Sequence, residues 1–404
     1  MRLILYVISI LILFLPAKSL AQTQPSCHVT LTPVDDIATA LANNLYTRVC
    51  LDPGLYELPN TLVLENNKKL LGNGVYDDNL NNVVLTTSDT FTASSLIVLK
   101  SGAKLENIVL NPKPLSQPIT SFPVNNLELI RHFVRYGVRS EFRHETASPL
   151  DSKADGAVVS KVMIKNVENP ITFFDSDNVM INQVLMNNNG SWDDCQGDVA
   201  VFFNNSDNFT LRNSDVILSP SHKGQITNTC NTNDGRIFSG ALEGDGSVAC
   251  HFSSNFQSIN NKHIRTGTGS YYLNYCKNAV LNRLTILESQ GWAIDGGPGG
   301  NCDLEVKNSV VRRTGRGAAV LLIDDEHDSN DSGCFGDYSA NYDAEFTNII
   351  FSDNMNDSTR DINGDGVADY DAVAVCEGIN KSPSINITGG LVATNDTTSD
   401  ICDF

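Results

Sequence analysis

The chain has 404 residues, of which 41% are hydrophobic and 19% are charged. Its 47 acidic residues outnumber its 28 basic residues, so its formal net charge is −19 at pH 7. We therefore expect no nucleic-acid partner, because binding to phosphate groups needs a basic surface.

Residues 1–21 have the pattern of a secretory signal peptide. Arg2 precedes an apolar run from Leu3 to Leu15, and Ser19-Leu20-Ala21 forms a cleavage site of the small-x-small type. No later stretch approaches the ~20 apolar residues that a membrane-spanning helix needs. We therefore expect a secreted or periplasmic protein without a membrane span.

The ten cysteines form an even set, and an oxidising compartment would permit disulfides. Cys27 and Cys50 flank the predicted N-terminal cap, and we expect them to pair. Zinc is not expected, because no close Cys-x-x-Cys pair occurs. The sequence leaves the connectivity of the other eight cysteines open.

The N-terminal elements begin with a short helix, predicted from Val34 to Leu45 with Asp35 and Asp36 at its start. A strand and a turn follow from Val49 to Tyr56. The next apolar stretches are Leu62–Leu64 and Lys69–Leu71. We expect this helix to cap the N-terminal end of the structure that the following strands form.

A short strand motif that closes with Asn recurs from here onward. Alternating apolar and polar residues predict strands, and the Asn after each strand predicts a repeated turn. Asn tolerates the left-handed conformation, and its amide can bond the amides above and below in a stack. The alternative is a β-sandwich with Asn-rich turns. The motif ends at Asn107, Asn166, Asn213, Asn308 and Asn348, and the same phase is kept at Gln183, Arg283 and Gly389.

A second set of apolar strands follows the ladder strands. Insertions enter just before this second set, around 112–157, 188–198, 219–270 and 352–371. If the coils stack, these loops emerge along one side and can line a groove. The second set comprises Ile171–Phe174, Val199–Phe202, Trp292–Ile294, Ala319–Leu322 and Val373–Cys376.

Together with the Asn coils, the phrases Pro53-Gly54-Leu55-Tyr56 and Leu70-Leu71-Gly72-Asn73-Gly74 resemble the pectin-lyase-like superfamily. The resemblance runs from about Cys50 to the C-terminus. It implies an all-β, right-handed parallel β-helix with an N-terminal capping helix and long loop insertions. We expect one elongated, monomeric domain over residues 22–404.

Residues 361–369 match a calcium-binding loop. Asp361, Asn363, Asp365 and Asp369 supply oxygens at positions one, three, five and nine, and the seventh residue, Val367, would offer its carbonyl. The loop resembles those of dockerin and thrombospondin-repeat proteins. Ala372 stands at the twelfth position, where an EF-hand has Glu. We expect bound Ca2+ with a structural rather than a catalytic role.

A second acidic cluster precedes the Val199 strand. Trp192, Asp193, Asp194 and Asp198 are candidates for substrate contact or catalysis. In pectate lyases of this fold, such carboxylates hold a calcium that neutralises a substrate carboxylate. Paired carboxylates could instead act as acid and base in an inverting hydrolase. A solvated acidic turn is the third possibility. The Asp-Asp-Cys phrase resembles the polygalacturonases, but their Asn-Thr-Asp and Gly-His-Gly phrases are absent.

Two arginines are candidates for a catalytic base. Arg313 and Arg316 lie between a ladder strand and a strand of the second set, beside the insertions. The resemblance implies an Arg or Lys base that removes the proton next to a uronate carboxylate. The alternative is that these arginines form ion pairs with neighbouring Asp residues.

A basic stripe follows within the first insertion. Arg131, Arg135, Arg139 and Arg143 are spaced by four, which would align them along one face of a helix over 125–145. Such a stripe could grip a polyanionic sugar or dock onto the protein's own acidic loops. In the insertion over 219–270, His251 and His263 have no recognisable catalytic context.

The sequence therefore indicates a secreted, carbohydrate-active β-helix protein. The first hypothesis is a polysaccharide lyase that cleaves an acidic, uronate-containing polysaccharide by β-elimination. The second is a non-catalytic, calcium-stabilised protein that binds glycans or acts as a surface adhesin. The third is an inverting glycoside hydrolase that uses Asp193, Asp194 and Asp198.

Overall fold

The structure is a computed structural model. It describes residues 26–74, 82–113, 119–124, 127–131, 134–140, 153–187, 199–217, 230–231, 237–238, 247–266, 269–289, 292–296, 301–314, 318–323, 343–352, 371–376 and 384–388.

Short strands dominate the N-terminal half of the chain. They are β1 (Val29–Leu31), β2 (Arg48–Leu51), β3 (Gly54–Leu58), β4 (Leu62–Leu64), β5 (Lys69–Gly72), β6 (Val83–Thr87), β7 (Ser95–Leu99), β8 (Lys104–Leu110), β9 (Ile119–Val124), β10 (Leu127–Arg131), β11 (Val134–Ser140), β12 (Val158–Lys165), β13 (Val167–Phe174), β14 (Met180–Asn182), β15 (Leu185–Asn187), β16 (Val199–Asn204), β17 (Thr210–Arg212) and β18 (Asp215–Ile217), with one helix, α1 (Ile37–Ala42), after β1.

The same pattern continues to the last described residue. The strands are β19 (Cys230–Asn231), β20 (Ile237–Phe238), β21 (Ser247–Ser254), β22 (Gln257–Ile259), β23 (Lys262–Ile264), β24 (Gly269–Lys277), β25 (Val280–Asn282), β26 (Thr285–Leu287), β27 (Trp292–Asp295), β28 (Asn301–Cys302), β29 (Leu304–Lys307), β30 (Val310–Arg312), β31 (Ala318–Ile323), β32 (Asp343–Thr347), β33 (Ile350–Ser352), β34 (Asp371–Cys376) and β35 (Ser384–Thr388).

Each coil contributes a strand to each of three columns, and the strands within a column are parallel. Column I runs from β1 through β2, β5, β14, β17, β22, β25, β29 and β32 to β35. Column II runs from β3 through β6, β15, β18, β23, β26 and β30 to β33. The long strands β8 and β12 turn from column I into column II, so these two columns form one 20-stranded sheet.

Column III is a separate sheet that contains β4, β7, β11, β13, β16, β21, β24, β27, β31 and β34. Every strand of the predicted second set lies in it. This arrangement is a right-handed parallel β-helix, so the predicted fold class is confirmed. The antiparallel pairs β9–β10 and β19–β20 lie in the first and third insertions.

The core fills the interior of the coils. Alternate residues of each strand point inward, and in column I they form a largely apolar row that includes Leu105, Val159, Ile181 and Leu211. Column III contributes parallel rows through Ile171 and its neighbours. Each inward row is buried between the rows of the other two columns, as expected for a solenoid with one continuous core.

The turn between columns I and II carries the predicted Asn ladder. All of its described members, including Gln183 and Arg283, have φ between 50° and 59°. The amide of Asn348 donates to Asn308 Oδ1 at 3.0 Å. The left-handed turn and the stacked amides are thus confirmed, while Gly389 lies outside the described residues.

Two features of the ladder were not predicted. Where Gln183 and Arg283 replace Asn, the preceding Asn182 and Asn282 accept the amide from the next coil, at 3.0 and 3.1 Å. The long interval between Asn213 and Arg283 contains one further member, Asn260, which donates to Asn213 Oδ1 at 2.9 Å. The interval is therefore one more coil plus an insertion.

A second ladder lies at the turn from column III to column I. Asn178, Asn208, Asn255 and Asn278 all have positive φ. Asn255 donates to Asn208 Oδ1 at 3.2 Å, and Asn278 donates to Asn255 Oδ1 at 3.0 Å. Two of the three turns in each of these coils are therefore fixed by stacked amides.

The N-terminal end is closed as predicted, although the helix is shorter than the predicted Val34–Leu45. Asp36 caps α1 by accepting hydrogen bonds from the amides of Ala38 and Thr39, and the apolar side of α1 joins the core. The predicted Cys27–Cys50 disulfide forms, and Cys250–Cys276 is a second one. Among the described residues, no helix has the length and apolar character needed to cross a membrane.

Candidate functional site

The outward surface of column III carries two rows of chemically diverse side chains, which we call the outer face. These side chains alternate with core residues along each strand, and none of them belongs to the core cluster. In register, the first row is Arg139, Thr172, Phe202, Ala249, Tyr272 and Asp295, and the second row is Phe174, Asn204, His251 and Asn274.

The outer face is shielded from bulk solvent although it points away from the core. Thr172 is 3% exposed and Ala249 is 1% exposed, and the other members of the two rows are half-buried. Electrostatic interactions and hydrogen bonds are stronger in such surroundings than in water. The outer face is therefore a surface on which polar contacts are stronger than they would be in water.

Aromatic rings run across four neighbouring strands of the outer face. The ring centroids of Phe174 and Phe202 are 5.4 Å apart, those of Phe202 and His251 are 5.1 Å apart, and those of His251 and Tyr272 are 5.3 Å apart. All three pairs are tilted or edge-to-face, which is the arrangement that aromatic quadrupoles favour. The result is a continuous aromatic strip with an imidazole in its middle.

Burial lowers the pKa of His251 to about 4, because desolvation disfavours the charged imidazolium. At neutral pH the ring is therefore uncharged and offers one nitrogen as a proton acceptor and the other as a donor. Tyr272 places a phenol beside it. This pair can accept a proton on one side and supply one on the other.

A cationic group lies at one end of the outer face, in β11. The Arg135 guanidinium lies 5.1 Å from the Tyr136 ring centroid, and the Arg139 guanidinium lies 5.8 Å from it. Arg139 also donates to Ser95 Oγ and, at 2.9 Å, to the Ser140 carbonyl. The guanidinium of Arg139 is thereby held in place at the start of the first row.

The helix expected over 125–145 is wrong, because β10 and β11 are strands. Backbone hydrogen bonds to β7 and β13 on either side of β11 override the local preference. Residues four apart also share one side of a strand, so Arg135 and Arg139 still lie on a common side. Arg131 ends β10, and its side chain lies outside the described residues, as does Arg143.

Arg313 lies at the turn that leads from column II to column III. It has φ 59°, and its guanidinium lies 3.1 Å from Glu288 Oε1 of the preceding coil. An ion pair is the predicted alternative to a base role, although the partner is Glu288 and not the expected Asp. The base role itself stays a prediction, and Arg316 lies outside the described residues.

The predicted acidic sites lie outside the described residues. This applies to Trp192, Asp193, Asp194 and Asp198, and to the calcium loop with Asp361, Asn363, Asp365, Val367 and Asp369. In the chain, Asp198 immediately precedes β16, a neighbour of the strand that carries His251. Within the described ranges, no group of three His, Cys, Asp or Glu side chains is arranged to hold a metal ion.

His251 and Phe202 were not predicted as site residues from the sequence. The alternation in β21 could have revealed His251, since Val248 and Cys250 point inward and the residue after them must point outward. Phe202 lies 49 positions earlier, and only the pairing of β16 with β21 brings the two rings together. That pairing spans an insertion whose length conceals the register.

No protein-family model matches the sequence, and no curated protein matches it. Among solved structures, the chain is similar to a polygalacturonase from Erwinia carotovora ssp. carotovora, with 13% identity, 93% of this chain and 97% of that chain covered, and a TM-score of 0.49. It is also similar to the periplasmic alginate epimerase AlgG, with 9% identity, coverages of 90% and 84%, and a TM-score of 0.39.

A third similar structure is the catalytic unit of a GH87 alpha-1,3-glucanase from Streptomyces thermodiastaticus, with 14% identity and a TM-score of 0.33. The match covers 88% of this chain and 65% of that one, so the chain spans about two thirds of the glucanase unit. Likenesses of this degree concern the fold and indicate no activity. The chain has a right-handed parallel β-helix fold, as its sequence predicts.

Proposed function

We propose that the outer face binds an acidic polysaccharide and cleaves it by β-elimination. The observation that carries the proposal is the uncharged, half-buried His251, held between Phe202 and Tyr272 on a shielded face. The arginines of β11 lie three strands away on the same face. Aromatic rings, amides, a neutral imidazole and fixed positive charge are the groups that an anionic sugar polymer requires.

The length of the outer face favours a polymer over a single sugar. Neighbouring strands are ~4.8 Å apart, so the five steps from Arg139 to Asp295 cover roughly 24 Å. Phe174, Phe202 and Tyr272 offer apolar ring surface for the CH-bearing faces of sugars, while Asn204 and Asn274 offer amides for hydroxyl groups.

The two arginines favour an acidic sugar. In a chain with a net charge of −19, Arg135 and Arg139 concentrate positive charge at one end of the outer face. Guanidinium groups bind carboxylates through paired hydrogen bonds. A uronate carboxylate would therefore be bound at β11, with the chain of sugars crossing toward β24.

The chemical step uses His251 as the base. Its neutral imidazole takes the proton from the carbon next to a uronate carboxylate, a double bond forms, and the glycosidic C–O bond breaks. The phenol of Tyr272 supplies a proton to the leaving oxygen. The carboxylate of the sugar that loses the proton, a different uronate from the one bound at β11, lies beside His251 and stabilises the imidazolium that forms, which offsets the burial that disfavours the charged ring in the free protein.

A rate assay on polygalacturonate and alginate tests the proposal. The wild-type protein should release unsaturated, ultraviolet-absorbing ends, and His251→Gln should reduce the initial rate by roughly 10²–10⁴-fold, the usual contribution of a general base. Tyr272→Phe should reduce it as well. His28→Gln is the control, because His28 is an exposed histidine near the N-terminus.

Other outcomes separate the remaining hypotheses. Reducing ends without ultraviolet absorbance would refute elimination in favour of a hydrolase that uses Asp193, Asp194 and Asp198. Full activity in His251→Gln, together with loss of activity in a folded Arg313→Ala, would transfer the base role to Arg313. Glycan binding without any product would favour the non-catalytic binding protein.

The same proposal includes export from the cytoplasm. The disulfides Cys27–Cys50 and Cys250–Cys276 support it, because such bonds persist in oxidising compartments. Calcium belongs to the proposal on sequence grounds only. No step of the reaction is assigned to it, since the predicted ligands lie outside the described residues.

A further inference from the structure

Four consecutive coils place a residue with positive φ directly after the second row of the outer face. These residues are Asp175, Asn205, Phe252 and Tyr275, with φ of 46°, 51°, 45° and 53°. The Asp175 amide donates to the Asn204 carbonyl, and the Asn205 amide donates to the His251 carbonyl, both at 3.0 Å. The four positions are therefore equivalent corners of successive coils.

The first two corners have residues suited to this conformation, and the last two do not. Asp and Asn tolerate the left-handed region because their short side chains bond locally, whereas bulky side chains are uncommon and strained there. Phe252 and Tyr275 stack with ring centroids 4.6 Å apart and planes 12° apart. The stacking energy of one aromatic pair is at most about equal to the strain energy of one bulky residue in the left-handed region, and here two such residues are strained. The stability of the fold therefore does not account for the pair.

The pair is also accessible. Phe252 is 46% exposed, although Tyr275 covers one face of its ring. The exposed surface must accordingly come from the other ring face and the ring edge. Phe252 follows His251 in β21, and Tyr275 follows Asn274 in β24, so both rings adjoin the outer face.

We propose that Phe252 and Tyr275 form an aromatic platform that binds a sugar ring of the same polysaccharide, beyond the edge of the outer face. This inference rests on the proposed function and adds a position to it. The polysaccharide would cross the outer face from β11 toward β24 and, at the coils of β21 and β24, place one sugar ring around the corner on the stacked rings.

A carbohydrate suits this platform better than a protein surface. Stable protein interfaces bury about 800 Å² on each partner and need several apolar anchors. Among the described residues, Phe252 is the sole large apolar side chain exposed at this corner; the others, such as Leu45 and Ile350, lie elsewhere on the solenoid. A single pair of rigid, stacked rings matches one sugar ring instead.

Substitution by Asn separates binding from folding, because Asn205 already shows that Asn is accommodated at this corner. Phe252→Asn and Tyr275→Asn should keep or raise the thermal midpoint. Each should weaken the binding of oligogalacturonate or oligoalginate by about tenfold, equivalent to ~1.4 kcal/mol. Leu45→Asn is the matched control, because Leu45 is 80% exposed and lies after α1. Its dissociation constant should equal that of the wild type.

Calorimetric titration of the wild type and the variants with both oligosaccharides tests whether the platform contributes to binding. If the wild type binds and both corner variants bind within twofold of it, the platform is refuted while the proposed function stands. If the wild type binds neither oligosaccharide, the proposed function fails and the platform fails with it. A loss of affinity with a lowered thermal midpoint in both variants would also refute the platform, since the rings would then be structural.

Discussion

Protonation of His263 should destabilise the β-helix, because this imidazole is fully buried in the core of column II. Its register neighbours are Val216 and Ile286, its ring packs against Tyr271 at 4.7 Å, and neither ring nitrogen has a hydrogen-bond partner. Burial lowers the pKa of His263 to about 3, from an ordinary value of 6.5. The folded state therefore rejects a proton that the unfolded chain accepts.

The difference between the folded and unfolded pKa of His263 sets how the free energy of unfolding changes with pH. Because the pKa of His263 is lower in the folded state than in the unfolded chain, the protein has its full stability above about pH 6.5. The free energy of unfolding then decreases as the pH falls toward 3. At pH 5 the unfolded histidine is almost fully protonated and the folded one is not, which costs about 2 kcal/mol. His251, with a pKa of about 4, has the same sign and should add a similar loss.

His263→Leu isolates this contribution. Leucine continues the apolar row, so the variant should lose about 2 kcal/mol less than the wild type between pH 8 and pH 5. It should also be more stable at pH 8 by roughly 1–3 kcal/mol, because the unpaired ring nitrogens are removed. Urea midpoints followed by circular dichroism at both pH values measure the two effects.

Ile286→Leu provides the matched control, since it changes the adjacent core residue of the same row without removing a titratable group. It should keep the pH dependence of the wild type. Equal losses of stability in wild type and His263→Leu between pH 8 and pH 5 would refute the reasoning. In that case His263 would be hydrated or paired in both protonation states.

Three further predictions concern the scaffold. A Cys250→Ala, Cys276→Ala double variant should lose about 3–4 kcal/mol in urea unfolding, because the disulfide closes a loop across 26 positions; an unchanged midpoint would contradict this. Asn260→Ala should cost about 2 kcal/mol through strain and a lost ladder bond, and Asn260→Gly about half of that, so equal costs would exclude the strain contribution. Chelation should lower the Tm of the wild type, and Asp365→Ala should abolish that response; a Tm insensitive to chelator would refute the calcium loop.

The scaffold could be predicted from the sequence because its constraints are local. An Asn that closes a strand at φ near 55° is both the conformational requirement of the turn and the visible motif. Asn260 was not predicted as a ladder residue, because Ser258 occupies the inward position where the motif has an apolar residue. Inside the coil, the Ser258 hydroxyl lies 2.6 Å from the Tyr271 hydroxyl and accepts from the Asn261 amide at 2.7 Å. A polar core position thus concealed a regular coil.

The outer face could be predicted only in part, because it depends on register between strands distant in sequence. The insertions enter the chain on the side of the solenoid where the outer face lies, and Arg135 stands out in the sequence by its charge. The strip of Phe202, His251 and Tyr272 needs the pairings of β16 with β21 and of β21 with β24. The spacing of four between Arg131 and Arg135 wrongly suggested a helix, because residues four apart share one side of a helix and also one side of a strand.

The position of the outer face follows from which turns can change length. Between β14 and β15 only residues 183–184 intervene, and this turn is tied to its neighbours by the first ladder. The turn from β16 to β17 is likewise held by the second ladder. Between β15 and β16, by contrast, the chain has residues 188–198, and between β18 and β21 it has 218–246. Lengthening this third turn costs little closure entropy and leaves all ladder bonds intact. Variable loops therefore accumulate where column III begins, and the side chains that they can shelter are those of the outer face.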